Sequence, residues 1–230
     1  MDTEKSKQLD AALQLGTDKY YDGFDTAQWG DSLEPGSMPA DGLYERWIDT
    51  YKPEIAIEVG SFLGYSAIKM AKEIKRQNLP TKLICVDTWL GSPEHYVMFK
   101  GTPPDNRLGY KFGYPTMYYK FISNVILHGV QDVIYPFPYP SSTAAKILSG
   151  IFGKLELKAD FIFLDGSHEQ NDVALDLFSY YPLLKKGGVM WGDDWAWSGV
   201  NTAVSSFVKE NEIESNLSLL NNNVHWLIQG

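Results

Sequence analysis

Five acidic residues and one histidine stand where runs of apolar residues end. Glu58 lies in EIAIEVG, Asp87 closes KLICVD, Asp165 and His168 follow FIFL, and Asp193 and Asp194 follow GVMWG. Asp165, Asp193 and Asp194 carry like charges, which oppose one another's ionisation unless a cation shares the space. An oxygen-only ligand set with open positions suits Mg²⁺, Mn²⁺ or Ca²⁺ better than Zn²⁺. His168, three residues past Asp165, is a candidate general base for a proton near such an ion. Each residue also has a plainer reading. Asp193 and Asp194 could cap the next helix, and His168 could be a turn residue. Ser167 and Gln170 match S-x-x-Q, which reads Ser167 as a helix cap rather than a catalyst.

The other two acids point to a different ligand. Glu58 is followed by Gly60, Ser61, Gly64 and Ser66, and glycines between a strand and a helix let backbone approach a ligand closely. The spacing is G-x-x-x-G, not G-x-G-x-x-G, which argues against a dinucleotide pyrophosphate and so against an NAD(P) oxidoreductase. Glu58 would repel phosphate and suits an ammonium group. Asp87 ends the second strand, where an acid accepts hydrogen bonds from ribose hydroxyls; the plainer reading is a turn cap. Together they describe a nucleoside with an amino-acid tail, S-adenosylmethionine more than NAD.

These residues need elements that bring them together. Apolar runs at 54–60, 82–87, 132–138, 160–166 and 188–195 read as strands, and helix-period segments at 64–78, 116–129, 141–152, 169–184 and 200–211 alternate with them. The run KKGG is read as the stop of the fourth helix. Residues 214–220 and 224–229, joined by three asparagines, read as a closing antiparallel hairpin. The expected fold is α/β: a doubly wound, Rossmann-like, mostly parallel seven-stranded sheet with that hairpin at the C-terminus. Such sheets bind ligands beyond the carboxyl ends of their strands. Residues 1–50 lack the rhythm and are read as an arm or lobe near the substrate site. Residues 51–230 form the main domain, with a lid at about 91–115.

Composition narrows the partners. The chain has 230 residues and a net charge of −9, with a pI near 4.9, so nucleic acid is not an expected partner. No apolar run reaches membrane-spanning length, and the first fifteen residues are too polar for a secretory signal. The single cysteine, Cys85, reads as a small core residue. A cytoplasmic location is expected and a homo-oligomer is possible. His95, His128 and His225 lack acidic company in sequence and are assigned no role.

The segments EVGSFLGYSA, CVDTWLGSPEH and FIFLDGSHEQNDVALDLFSYYPLLKKGGVMWGDDW resemble the class I S-adenosylmethionine-dependent methyltransferases. More narrowly, they resemble the metal-dependent macrocin-type sugar O-methyltransferases. The resemblance covers about residues 54–230, and D-G-S-H with a later G-D-D is its most specific part. It implies that Glu58, Gly60, Ser61, Gly64 and Ser66 hold the methionine moiety and that Asp87 holds the ribose. It further implies that Asp165, Asp193 and Asp194 bind Mg²⁺, with His168 and Asp165 catalytic. The acceptor would be a hydroxylated small molecule, a sugar or glycoside. A catechol or phenol acceptor, or a non-catalytic nucleoside-binding module on the same fold, is the alternative.

Overall fold

The computed structural model describes residues 1–14, 20–33, 42–97 and 108–230. Its frame is set by strands buried on both faces, β7 only from Gly188 onward: β1 (Ile55–Val59), β2 (Lys82–Val86), β5 (Ile134–Phe137), β6 (Ala159–Leu164) and β7 (Leu184–Gly192). These pair in parallel in the order β5-β2-β1-β6-β7. The sheet ends with β9 (His225–Gln229) antiparallel to β7, and β8 (Leu217–Leu220) on its outer edge. This is the expected seven-stranded α/β sheet with its closing hairpin. The chain winds outward from β1 to β5, then returns to lay β6 on the other side of β1. The order therefore reverses between β1 and β6, where a crevice opens above the strand ends.

Alternation along each strand divides the core. Ile57, Ile84, Ile162 and Met190 face one layer, built from α1 (Thr3–Leu13), α6 (Ser141–Leu155), α7 (Gln170–Tyr180) and α8 (Ser198–Glu210). Ala56, Cys85, Phe163 and Trp191 face the other, built from α2 (Leu43–Tyr51), α3 (Tyr65–Arg76) and α5 (Met117–Leu127). Cys85 is buried, as a core residue should be. By the same alternation, Glu58, Asp165 and Asp193 emerge toward the α2/α3 layer.

Several boundaries differ from the sequence reading. The fourth helix ends at Tyr180 and a 3₁₀ turn, Tyr181–Leu183, follows it. KKGG then lies inside β7, because Gly187 and Gly188 exchange backbone hydrogen bonds with Gly230. The proposed lid falls partly outside the described residues, at 98–107. Its described parts hold a short helix, α4 (Pro93–Val97), and a hairpin of β3 (Tyr110–Lys111) and β4 (Tyr114–Pro115). Of residues 1–50, the described parts include two helices that pack in different places. In α1, Leu9 and Leu13 enter the core, and Asp10 pairs with Lys82 at the start of β2, opposite the carboxyl ends of the strands. α2 packs on α3 instead. Among the described residues, no helix is long and apolar enough to cross a membrane.

Candidate active site

The turn after β1 is built by contacts that its own residues demand. Gly60 has φ +93°, and a Cβ there would lie 2.1 Å from the carbonyl oxygen of Asp165. The Asp165 N–H donates to Val59 O at 2.8 Å, so the two strand ends are locked side by side. Gly64, with φ +89°, starts α3. Glu58 is fully buried; Ser61 Oγ donates to one of its oxygens at 2.5 Å and Ser66 Oγ donates to the other. Burial pushes the Glu58 carboxyl up to about 7 against the lowering effect of both hydroxyls.

Asp87 binds two turns at once. Its Oδ2 accepts from the Phe62 N–H at 2.8 Å and its Oδ1 from the Trp89 N–H at 2.7 Å. Both are bulky residues held at positive φ, +46° and +52°, a strained conformation that persists only where surroundings enforce it. The Trp89 indole completes the clamp, donating to Phe62 O at 2.7 Å. His95, on α4, stacks on the Phe62 ring at 5.2 Å, so the described start of the lid segment touches this turn.

Beyond β6 and β7, the carboxylates of Asp165, Asp193 and Asp194 each offer an oxygen, and these oxygens lie within 4.8 Å of one another. Asp194 has a left-handed backbone, φ +60°, which its type tolerates. His168 Nε2 lies 2.8 Å from Asp194 Oδ2, and its ring stacks on Trp197 at 4.5 Å. A cavity of about 20 Å³ beneath the acids is lined by Asp165, His168, Asp176 and Trp226 among others. That volume is the size of a water or an ion, not of a nucleoside. Burial first, then Asp193, Asp194 and Glu58, push the Asp165 carboxyl well above the usual range, with His168 opposing.

Two neighbours were not visible as such in the sequence. Tyr44, on α2, packs its ring against Phe163 and Trp191, directly below Asp165 and Asp193. Burial, then the charges of Asp165, Glu58 and Asp193, push its hydroxyl well above the ordinary phenol range. His225 is 1 % exposed, and its Nδ1 lies 2.9 Å from Asp193 Oδ1. Ser167 does not cap α7: that helix begins at Gln170 after Glu169 with no side-chain cap. Ser167 instead donates to Asp172 and accepts from the Glu169 N–H, a turn of its own.

The donor sets fit two ligands. Three carboxylates over an ion-sized cavity fit a hard divalent cation. The turn from Gly60 to Ser66 carries no basic side chain and is flanked by Glu58 and Asp87, which fits a ligand without phosphate.

A family model described as "Methyltransferase domain" matches residues 57–195, from inside β1 to just past the acid pair. The chain belongs to the methyltransferase-domain family. Solved structures with the same fold include the O-methyltransferase NovP, with a TM-score of 0.64 and 13% identity over 98% of this chain and 98% of that one. The O-methyltransferase from Bacillus cereus in complex with SAH gives a TM-score of 0.57 at 12% identity over 100% and 92%. The calicheamicin methyltransferase CalS11 gives 0.56 at 16% identity over 99% and 91%. A search of curated proteins finds no matching sequence. In this methyltransferase, the matched region contains every strand-end acid described above.

Proposed function

We propose that this methyltransferase is an S-adenosylmethionine- and divalent-metal-dependent O-methyltransferase, acting on a hydroxyl of a sugar or another small vicinal diol. One observation carries the reading: the convergence of Asp165, Asp193 and Asp194 within 4.8 Å, beside the Gly60 turn that crosses the end of β6. The SAH complex of the Bacillus cereus relative supports the cofactor assignment.

S-adenosylmethionine would supply a methyl on a sulfonium: the acceptor oxygen bonds to that carbon as the carbon–sulfur bond breaks and the sulfur leaves as the neutral thioether of S-adenosylhomocysteine. Ser61 and Ser66, braced by Glu58, shape the turn that receives its methionine end, and Asp87 retains free lone pairs for the ribose while holding Phe62 and Trp89. Asp165, Asp193 and Asp194 would hold Mg²⁺, whose chemistry there is to acidify a coordinated hydroxyl and fix the two oxygens of a diol. His168 stands beside Asp194 and takes the acceptor's proton. Tyr44, whose ring packs on Phe163 and Trp191 and whose hydroxyl is influenced by the charges of Asp165, Glu58 and Asp193, orients the reacting oxygen. The acidic surface and the buried, unpaired Cys85 suit a reducing cytoplasm and a small-molecule acceptor.

The test is transfer of tritiated methyl to a panel of glycosides and catechols, with Mg²⁺ and with EDTA. We expect labelling of a diol with Mg²⁺ and its loss with EDTA. Full labelling in metal-free buffer removes the metal from the reading.

A further inference from the structure

We propose that His225 is a positioning residue: it holds Oδ1 of Asp193 so that Oδ2 faces the divalent-ion site. The inference rests on the metal reading above.

The placement follows from the sheet. β9 runs antiparallel to β7, with Trp226 opposite Gly192, so His225 comes to the position beside Asp193, just beyond β7. Its flank is closed: the imidazole is 1 % exposed, and Trp191 meets it edge-on at 5.5 Å and 75°. Asp193 Oδ1 already accepts the Asp194 N–H at 2.7 Å, and His225 Nδ1 lies 2.9 Å from the same oxygen. That leaves Oδ2 for a ligand. The imidazole contact is short but not aligned as a hydrogen bond. His225 is not one of the three converging ligands, and it lies outside the cavity lined by His168. The acid pair thus carries one histidine on its open side and one behind it. Carboxylate ligands fixed this way by an outer partner lose metal affinity when the partner is removed.

The experiment is a Mn²⁺ titration of the metal-free protein by electron paramagnetic resonance. His225→Phe keeps a ring against Trp191 and removes Nδ1; His225→Asn keeps a donor near the Nδ1 position. We expect His225→Phe to weaken Mn²⁺ binding roughly 10–100-fold, His225→Asn to recover most of that loss, and S-adenosylmethionine affinity without metal to stay unchanged in both. Wild-type affinity in folded His225→Phe, or no recovery in His225→Asn, overturns the proposal and leaves the metal reading standing. Absence of saturable Mn²⁺ binding in the wild type overturns both. Should His225→Phe not fold, imidazole nitrogen spectra of the wild type decide: the Nδ1–H tautomer is required, and an Nε2–H tautomer refutes it.

Discussion

Gly60 and Asp165 meet backbone to backbone: a methyl group on Gly60 would lie 2.1 Å from the Asp165 carbonyl oxygen. The turn assigned to the cofactor and the first of the clustered acids are therefore one mechanical unit. Gly60→Ala must shift one of them, and it also places a Cβ at φ +93°. We expect a stability loss of at least about 1–3 kcal/mol and weaker binding of both S-adenosylmethionine and Mn²⁺. Thermal denaturation and calorimetry check this; an unchanged melting temperature would show that the two turns move independently.

Asp87 joins the strained backbones of Phe62 and Trp89, so its removal acts twice. Asp87→Ala leaves two amides without their acceptor and takes a charge-assisted partner from the ribose. The expected loss of S-adenosylmethionine affinity corresponds to about 1.5–3 kcal/mol, with a lowered melting temperature in the free protein. Unchanged affinity by titration calorimetry in a folded variant would remove Asp87 from the site.

Glu58 gives the free protein a pH signature. Its carboxyl holds a proton up to about 7 when folded, against 4.5 in the open chain. The folded state then binds more protons than the unfolded state between those values, so this group's contribution falls as pH rises from 4.5 to 7 and is level outside that window. The span is on the order of 3 kcal/mol. Asp176, also raised by burial, from 3.8 to about 6, adds a contribution of the same sign in a window at lower pH. Chemical denaturation across pH should show Glu58→Gln gaining stability relative to wild type as pH increases through this window. Parallel curves would contradict the assignment.

In the proposed reaction, His168 serves the acceptor rather than the nucleoside. His168→Ala should lower turnover by roughly 10²–10⁴-fold while leaving S-adenosylmethionine affinity near wild type. Retained turnover in a variant that binds metal and cofactor would reduce His168 to a partner of Asp194 and Trp197.

Much of this site is legible in the sequence because buried parallel strands are continuous apolar runs. The residue that ends such a run is forced to the crevice, so Asp87, Asp165 and the acid pair can be found without coordinates. His225 follows a different logic. It reaches Asp193 only because β9 folds back antiparallel on β7, and nothing within its own segment marks that register. Tyr44 sits on a nine-residue helix outside the strand–helix rhythm, where its inward face becomes apparent only when Phe163 and Trp191 lie beneath it. KKGG misleads because glycines that stop helices also fit a strand whose amides pair with the chain terminus.

The central claim is that Asp165, Asp193 and Asp194 hold one divalent ion beside a nucleoside bound at the Gly60 turn. Anomalous diffraction from crystals grown with Mn²⁺ and S-adenosylhomocysteine tests it most directly. We expect a single manganese peak bounded by those three carboxylates, with adenosyl density beside Asp87. Manganese absent from the three acids in a crystal that shows the nucleoside would contradict it.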